Sequence, residues 1–115
     1  MEKVALITGA ARGIGKATAE LFLENGYHAI LHDRDEEALM ETHQALENTS
    51  AYLYDVSNPQ AGGEIAARIL SEHGRLAALV NNAGVADLGP LEAHDQSKCR
   101  RVMETNLAGG FYMTQ

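Results

Sequence analysis

A strand, a glycine-rich turn and a helix follow one another within the first 24 residues, and this order limits the fold more than any other feature. Val4-Ala5-Leu6-Ile7 reads as a buried strand. Thr8-Gly9-Ala10-Ala11-Arg12-Gly13-Ile14-Gly15 follows it, and Lys16-Ala17-Thr18-Ala19-Glu20-Leu21-Phe22-Leu23 reads as a helix. The first amides of a helix have no intrahelical acceptor and carry a partial positive charge. Glycines in front of them let a phosphate group approach the backbone closely.

The spacing narrows the reading. Gly9, Gly13 and Gly15 form G-x-x-x-G-x-G, not the general G-x-G-x-x-G dinucleotide fingerprint. A nucleoside-triphosphate loop requires four residues between the first Gly and Gly-Lys, then Ser or Thr. Five residues separate Gly9 from Gly15, and Ala17 follows Lys16, so that reading fails twice. The bland alternative is three glycines in an ordinary strand-to-helix turn.

Strands and helices alternate along the rest of the chain. Strands are predicted over 3–8, 28–32, 51–54 and 76–81, and helices over 14–24, 35–47 and from about 95 to the end. A third helix is predicted after Ser57 or Asn58, with Pro59 in its first turn. The core stripe of the first helix reads as Ile14, Ala17, Thr18, Leu21 and Phe22, and that of the third as Ile65, Ala66, Ile69 and Leu70. Asn25-Gly26 and His73-Gly74 end these two helices. Such alternation predicts one α/β domain over 1–115, a doubly wound parallel sheet with helices on both faces. Ligands in such sheets bind at the carboxyl ends of the strands. Gly9, Asp33, Asp55 and Asn81-Asn82 all fall at those ends.

Asp33 lies 18 residues past Gly15, where a carboxylate can accept both hydroxyls of an adenosine ribose and repel a 2′-phosphate. That favours NAD over NADP. Arg34 works in the other direction, since an arginine can pair with a phosphate. Asp35 reads as a helix N-cap, and the whole Asp33-Arg34-Asp35 run also reads as a solvated turn. Asp55 can accept from an adenine amino group, with Val56 against the ring, or simply begin a turn. Small residues in Asn81-Asn82-Ala83-Gly84 let a flat ring or ribose pass the backbone, and asparagine amides can tie strand ends together.

Composition removes other classes. The net charge is −7, from 16 acids against 9 bases, and no basic patch suits nucleic acid or an acidic membrane. Histidines at 28, 32, 43, 73 and 94 form no H-E-x-x-H pair, so no metal site is predicted. Cys99, between Lys98 and Arg100, reads as a lone helix residue. One cysteine and no signal peptide predict a cytoplasmic protein, and no apolar run approaches the ~20 residues of a membrane span.

Thr8-Gly9-x-x-x-Gly13-Ile14-Gly15, Asp55-Val56, Asn81-Asn82-Ala83-Gly84 and Asn106-Leu107-x-Gly109 together resemble the short-chain dehydrogenase/reductase family, in order and spacing from Lys3 to Gln115. The resemblance implies a Rossmann-like sheet with strand order 3-2-1-4. It also implies an oxidoreductase that moves hydride between a nicotinamide and a small alcohol or carbonyl. The cofactor contacts it implies, with those read above, are Gly9, Arg12, Gly13, Ile14, Gly15, Asp33, Arg34, Asp55, Val56, Asn82, Ala83 and Gly84. Asn106 takes the catalytic role of supporting a water chain, or is a polar residue that tunes its helix.

One family feature is missing. The resemblance implies a tyrosine with a lysine four residues later, and none of Tyr27, Tyr52, Tyr54 or Tyr112 has one. Family members run to roughly twice this length. The expectation is therefore an N-terminal half, either inactive alone or self-associating. Its contacts would be the open edge of the fourth strand or a stripe of Val102, Met103, Leu107 and Phe111.

Overall fold

The computed structural model describes residues 2–84 and 96–114, without the side chains of Gln96, Lys98, Cys99, Val102 and Phe111. His94 and Asp95 lie outside the described residues. Four parallel strands are β1 (Val4–Thr8), β2 (His28–Asp33), β3 (Thr49–Leu53) and β4 (Ala78–Val80). They lie in the order β3-β2-β1-β4. Ile7 pairs with Leu31 and Val80, and Thr8 with His32, which brings the carboxyl ends of the strands to one edge.

Alternation along the strands divides the core between two faces. Ala5, Ile7, Ala29 and Leu31 face α1 (Gly13–Glu24) and α2 (Glu36–Ala45), meeting Ala19 and Leu39. Val4, Leu6, Ile30 and Tyr52 face the other way and meet Ala61, Ile65 and Ile69 of α3 (Ala61–His73). Helix α4 (Gln96–Met103) passes through a π-helical turn, Glu104–Ala108, into α5 (Gly109–Thr114). Met113 of α5 packs against the α3 face.

Two core stripes are turned from their expected faces. Helix α1 buries Gly15 and Ala19, while Ile14 is 79% exposed and Leu21 also faces outward. The reason lies at its start. A Cβ on Gly15 would stand 2.1 Å from the Gly9 carbonyl oxygen, so only the small-residue face can approach β1 so closely. Helix α3 buries Ala61, Ile65 and Ile69, one position every four residues, and leaves Ala66 and Leu70 exposed. Gly62 meets the Tyr112 carbonyl of α5, with a built Cβ only 2.5 Å from that oxygen, and this close crossing sets the rotation.

The remaining corrections concern ends. Helix α2 stops at Ala45, short of 47, and β3 begins at Thr49 rather than 51. Neither Ser57 nor Asn58 caps α3. Asn58 Oδ1 accepts from the Gln60 amide at 3.0 Å, a local turn that leaves Pro59 ahead of the helix. The single last helix is interrupted at Glu104–Ala108, where π geometry adds a residue to the turn.

Candidate functional site

The site begins where β1 ends. The Thr8 hydroxyl accepts from the amides of Asn82 and Ala83, both at 2.9 Å, and donates to the Val80 carbonyl at 3.3 Å. One hydroxyl thus joins β1 to the chain leaving β4. Asn82 Nδ2 donates to the Gly9 carbonyl at 3.2 Å, strengthening the same join. A Cβ on Gly15 would meet that amide at 2.5 Å, so Gly15 is required by close packing. Gly13 is different: its φ is +60° and nothing lies within 4 Å of where its Cβ would be. The open space faces the start of α1. Arg12 is the N-cap there, makes no side-chain capping bond, and no acid sits in the first turn. The amides of that turn are therefore available to an anion.

The end of β2 supports the loop from the side. Asp33 Oδ2 accepts from the Ala11 amide at 3.2 Å, and its Oδ1 accepts from the amides of Arg34 and Asp35 at 2.8 and 3.1 Å. The carboxylate is held in one orientation, at the pocket wall. His32 is only 2% exposed. Its Nε2–H donates to the Tyr54 carbonyl at 2.8 Å, which leaves Nδ1 as acceptor for the Gly9 amide at 3.4 Å. That arrangement needs a neutral ring, and burial pushes the His32 pKa down, against smaller opposing pulls from Tyr54, Asp33 and Asp55.

Asp35 caps α2 through Oδ1, which accepts from the Ala38 amide at 3.2 Å. Its Oδ2 forms an ion pair with Arg12 Nη2 across the loop. The Ala38 amide foremost, with Arg12, holds the Asp35 carboxyl below its ordinary range. At the end of β3, Asp55 Oδ1 accepts from the Ser57 amide at 3.0 Å and the Ser57 hydroxyl at 2.8 Å. Burial pushes the Asp55 carboxyl up, but the Ser57 hydrogen bonds, helped by Arg34, outweigh this and lower it. Val56 is buried, and a Cβ on Gly109 would stand 2.7 Å from its Cγ2. The last helix therefore lies tight against this turn.

A cavity of about 460 Å³ unites these turns. Of the residues expected at a site, Gly9, Arg12, Asp33, Arg34, Asp55, Val56, Asn82, Ala83 and Gly84 line it. Gly13 lies at the adjoining opening between α1 and α2, Gly15 is buried beneath the loop, and Ile14 faces outward. Asn106 belongs to the π-helical turn, with Oδ1 3.1 Å from a Cβ built on Gly84. It lines a separate space of about 30 Å³ with Thr8, Asn81 and Ala83. Sequence reasoning quoted Thr8 in the glycine motif without its joining role, and it missed His32 and Thr105, both buried at the main cavity. The available signal was polar residues at inward positions of apolar strands, for Thr8 and His32, which are paired neighbours.

A sheet of this order, with a glycine loop and four strand-end turns meeting in one cavity, defines a nucleotide-binding Rossmann-like fold. The chain belongs to the short-chain dehydrogenase family, whose model matches residues 3–115. It is similar to the NAD-dependent glycerol dehydrogenase of Listeria innocua, 37% identical over 115 residues that cover 99% of this chain and 45% of that protein. Among solved structures it resembles a short chain dehydrogenase from Bacillus anthracis, with a TM-score of 0.94 and 29% identity over 98% of this chain and 48% of that one. It also resembles a structure of ElxO with NADPH bound, with a TM-score of 0.89 and 34% identity over 99% and 48%. The chain spans less than half the length of the curated relatives it matches. No helix among the described residues is long and apolar enough to cross a membrane. No group of three or more His, Cys, Asp or Glu among them is placed to hold a metal.

Proposed function

We propose that residues 1–115 form an NAD(P)-binding domain of a cytoplasmic oxidoreductase that uses NAD in preference to NADP. The observation that carries this reading is the cavity shared by Gly9 of the glycine loop and the oriented Asp33 carboxylate, with the open Gly13 mouth at the adjoining opening. When bound, the nicotinamide exchanges hydride with a small alcohol or carbonyl. The chain's own groups bind and orient. First-turn amides of α1 hold the bridging phosphates, and Gly9 and Gly15 bring the backbone close. Asp33 accepts the adenosine ribose hydroxyls, while Asp55 and Val56 border the adenine. Asn82, Ala83 and Gly84 leave a flat passage, and Asn106 supports the water path that moves a proton.

Calorimetric titration with NAD and NADP tests the binding. Tighter binding of NAD supports the reading, tighter binding of NADP overturns the preference, and failure of both dinucleotides to bind overturns the reading as a whole. In a second reading residues 1–115, which contain no Tyr-x-x-x-Lys, bind the dinucleotide by themselves without turning it over. Following NADH formation across a panel of small alcohols separates the two. The exposed Met103 and Leu107 and the outer side of β4 favour association with a second copy.

A further inference from the structure

Two cations stand at the rim of the main cavity, and neither is idle. Arg34 lies in the field of Asp55. Arg12, in the glycine loop itself, is paired with Asp35. Both members of that pair line the cavity beside Asp33. We propose that Asp35 is a second cofactor-specificity residue: by engaging Arg12, it withholds a cation of the glycine loop from a ribose 2′-phosphate. This rests on the reading that the cavity holds a nicotinamide dinucleotide.

The argument is one of competition. A 2′-phosphate offers oxygens that suit the guanidinium fork. Asp35 Oδ2 already engages Nη2 of that guanidinium, and the carboxylate is itself fixed, because its other oxygen caps α2. It cannot swing away without losing the Ala38 amide. NAD brings no 2′-phosphate and leaves the pair undisturbed. The pair is largely solvent-exposed, 67% for the Arg12 side chain and 45% for Asp35, so its contribution is modest.

Asp35→Asn separates the two roles of the residue. Asparagine caps a helix about as well as aspartate but carries no charge. In the full 115-residue chain, the NADP-to-NAD affinity ratio from calorimetry is expected to rise about fivefold in Asp35→Asn. Adding Arg12→Ala to Asp35→Asn is expected to abolish that rise, since the freed guanidinium is gone. Asp35→Ser gives a second uncharged cap should the asparagine variant fold poorly. An unchanged ratio in a folded Asp35 variant that still binds NAD overturns this assignment alone. A rise that survives Arg12→Ala also overturns it. Absence of any dinucleotide binding to the unaltered chain overturns the cofactor reading and this assignment with it.

Discussion

At residue scale, His32 gives the fold a calculable dependence on pH. Its ring is neutral when folded, with a pKa held below the ordinary 6.5. The unfolded chain therefore binds the proton more readily, and stability falls as pH drops below about 6.5, by up to ~1.4 kcal/mol per unit until the folded pKa is reached. His73 is also lowered, by burial and by His28, and acts in the same direction. Thermal midpoints measured from pH 7.5 to 5 are expected to fall steadily, with a shallower slope in His32→Asn that does not vanish. An unchanged slope would remove His32 from the account.

The glycines make a sharper contrast. Gly15→Ala drives a Cβ onto the Gly9 carbonyl and is expected to destabilise the fold by about 1–3 kcal/mol or more in chemical denaturation. Gly13→Val meets no neighbour, so it strains only its own backbone at φ +60°, yet it fills the mouth of α1 and is expected to abolish dinucleotide binding. Asp33→Ala is expected to weaken NAD more than NADP, and also to lower the melting temperature by several degrees, because three amides lose their acceptor. Equal loss for the two cofactors would count against the ribose assignment. The glycine spacing and the acid after β2 were legible in the sequence because they are local. His32 was not, since its role depends on Gly9 and Tyr54, each more than twenty residues away.

At the scale of elements, alternation and the glycine stops were enough to place all four strands and the first three helices, although neither expected cap, Ser57 or Asn58, starts α3. The faces of those helices were less legible. Ile65 and Leu70 belong to one apolar stripe in the sequence, and the structure buries the first and leaves the second 69% exposed. Periodicity fixes the width of a stripe but not the point at which a neighbour touches it. Here the touching point is Gly62 against α5, and for α1 it is Gly15 against β1. Ile65→Ala is accordingly expected to cost about 2–5 kcal/mol and Leu70→Ala less than about 0.5 kcal/mol, read from urea midpoints. Comparable losses would mean that α3 is rotated from the position described. The π-helical turn had no sequence signature, because its extra residue is compensated within a run that remains helical.

At the scale of the molecule, β4 has β1 on one side and no further strand on the other among the described residues. Met103 at the end of α4 and Leu107 in the π-helical turn, at 51% and 64% exposure, add apolar surface. Light scattering coupled to size exclusion is expected to give a dimer or larger species at micromolar concentration. A monodisperse monomer would sink that expectation.

The contact of Gly9, Gly15 and Asn82 has a practical consequence for protein engineering. Two glycines of one loop and an asparagine 73 residues beyond the first of them share one small volume, so the effect of changing any of them depends on what occupies the other two. An added side chain at Gly9 or Gly15 needs a compensating change at Asn82, so viable alternatives are best sought by varying the trio jointly.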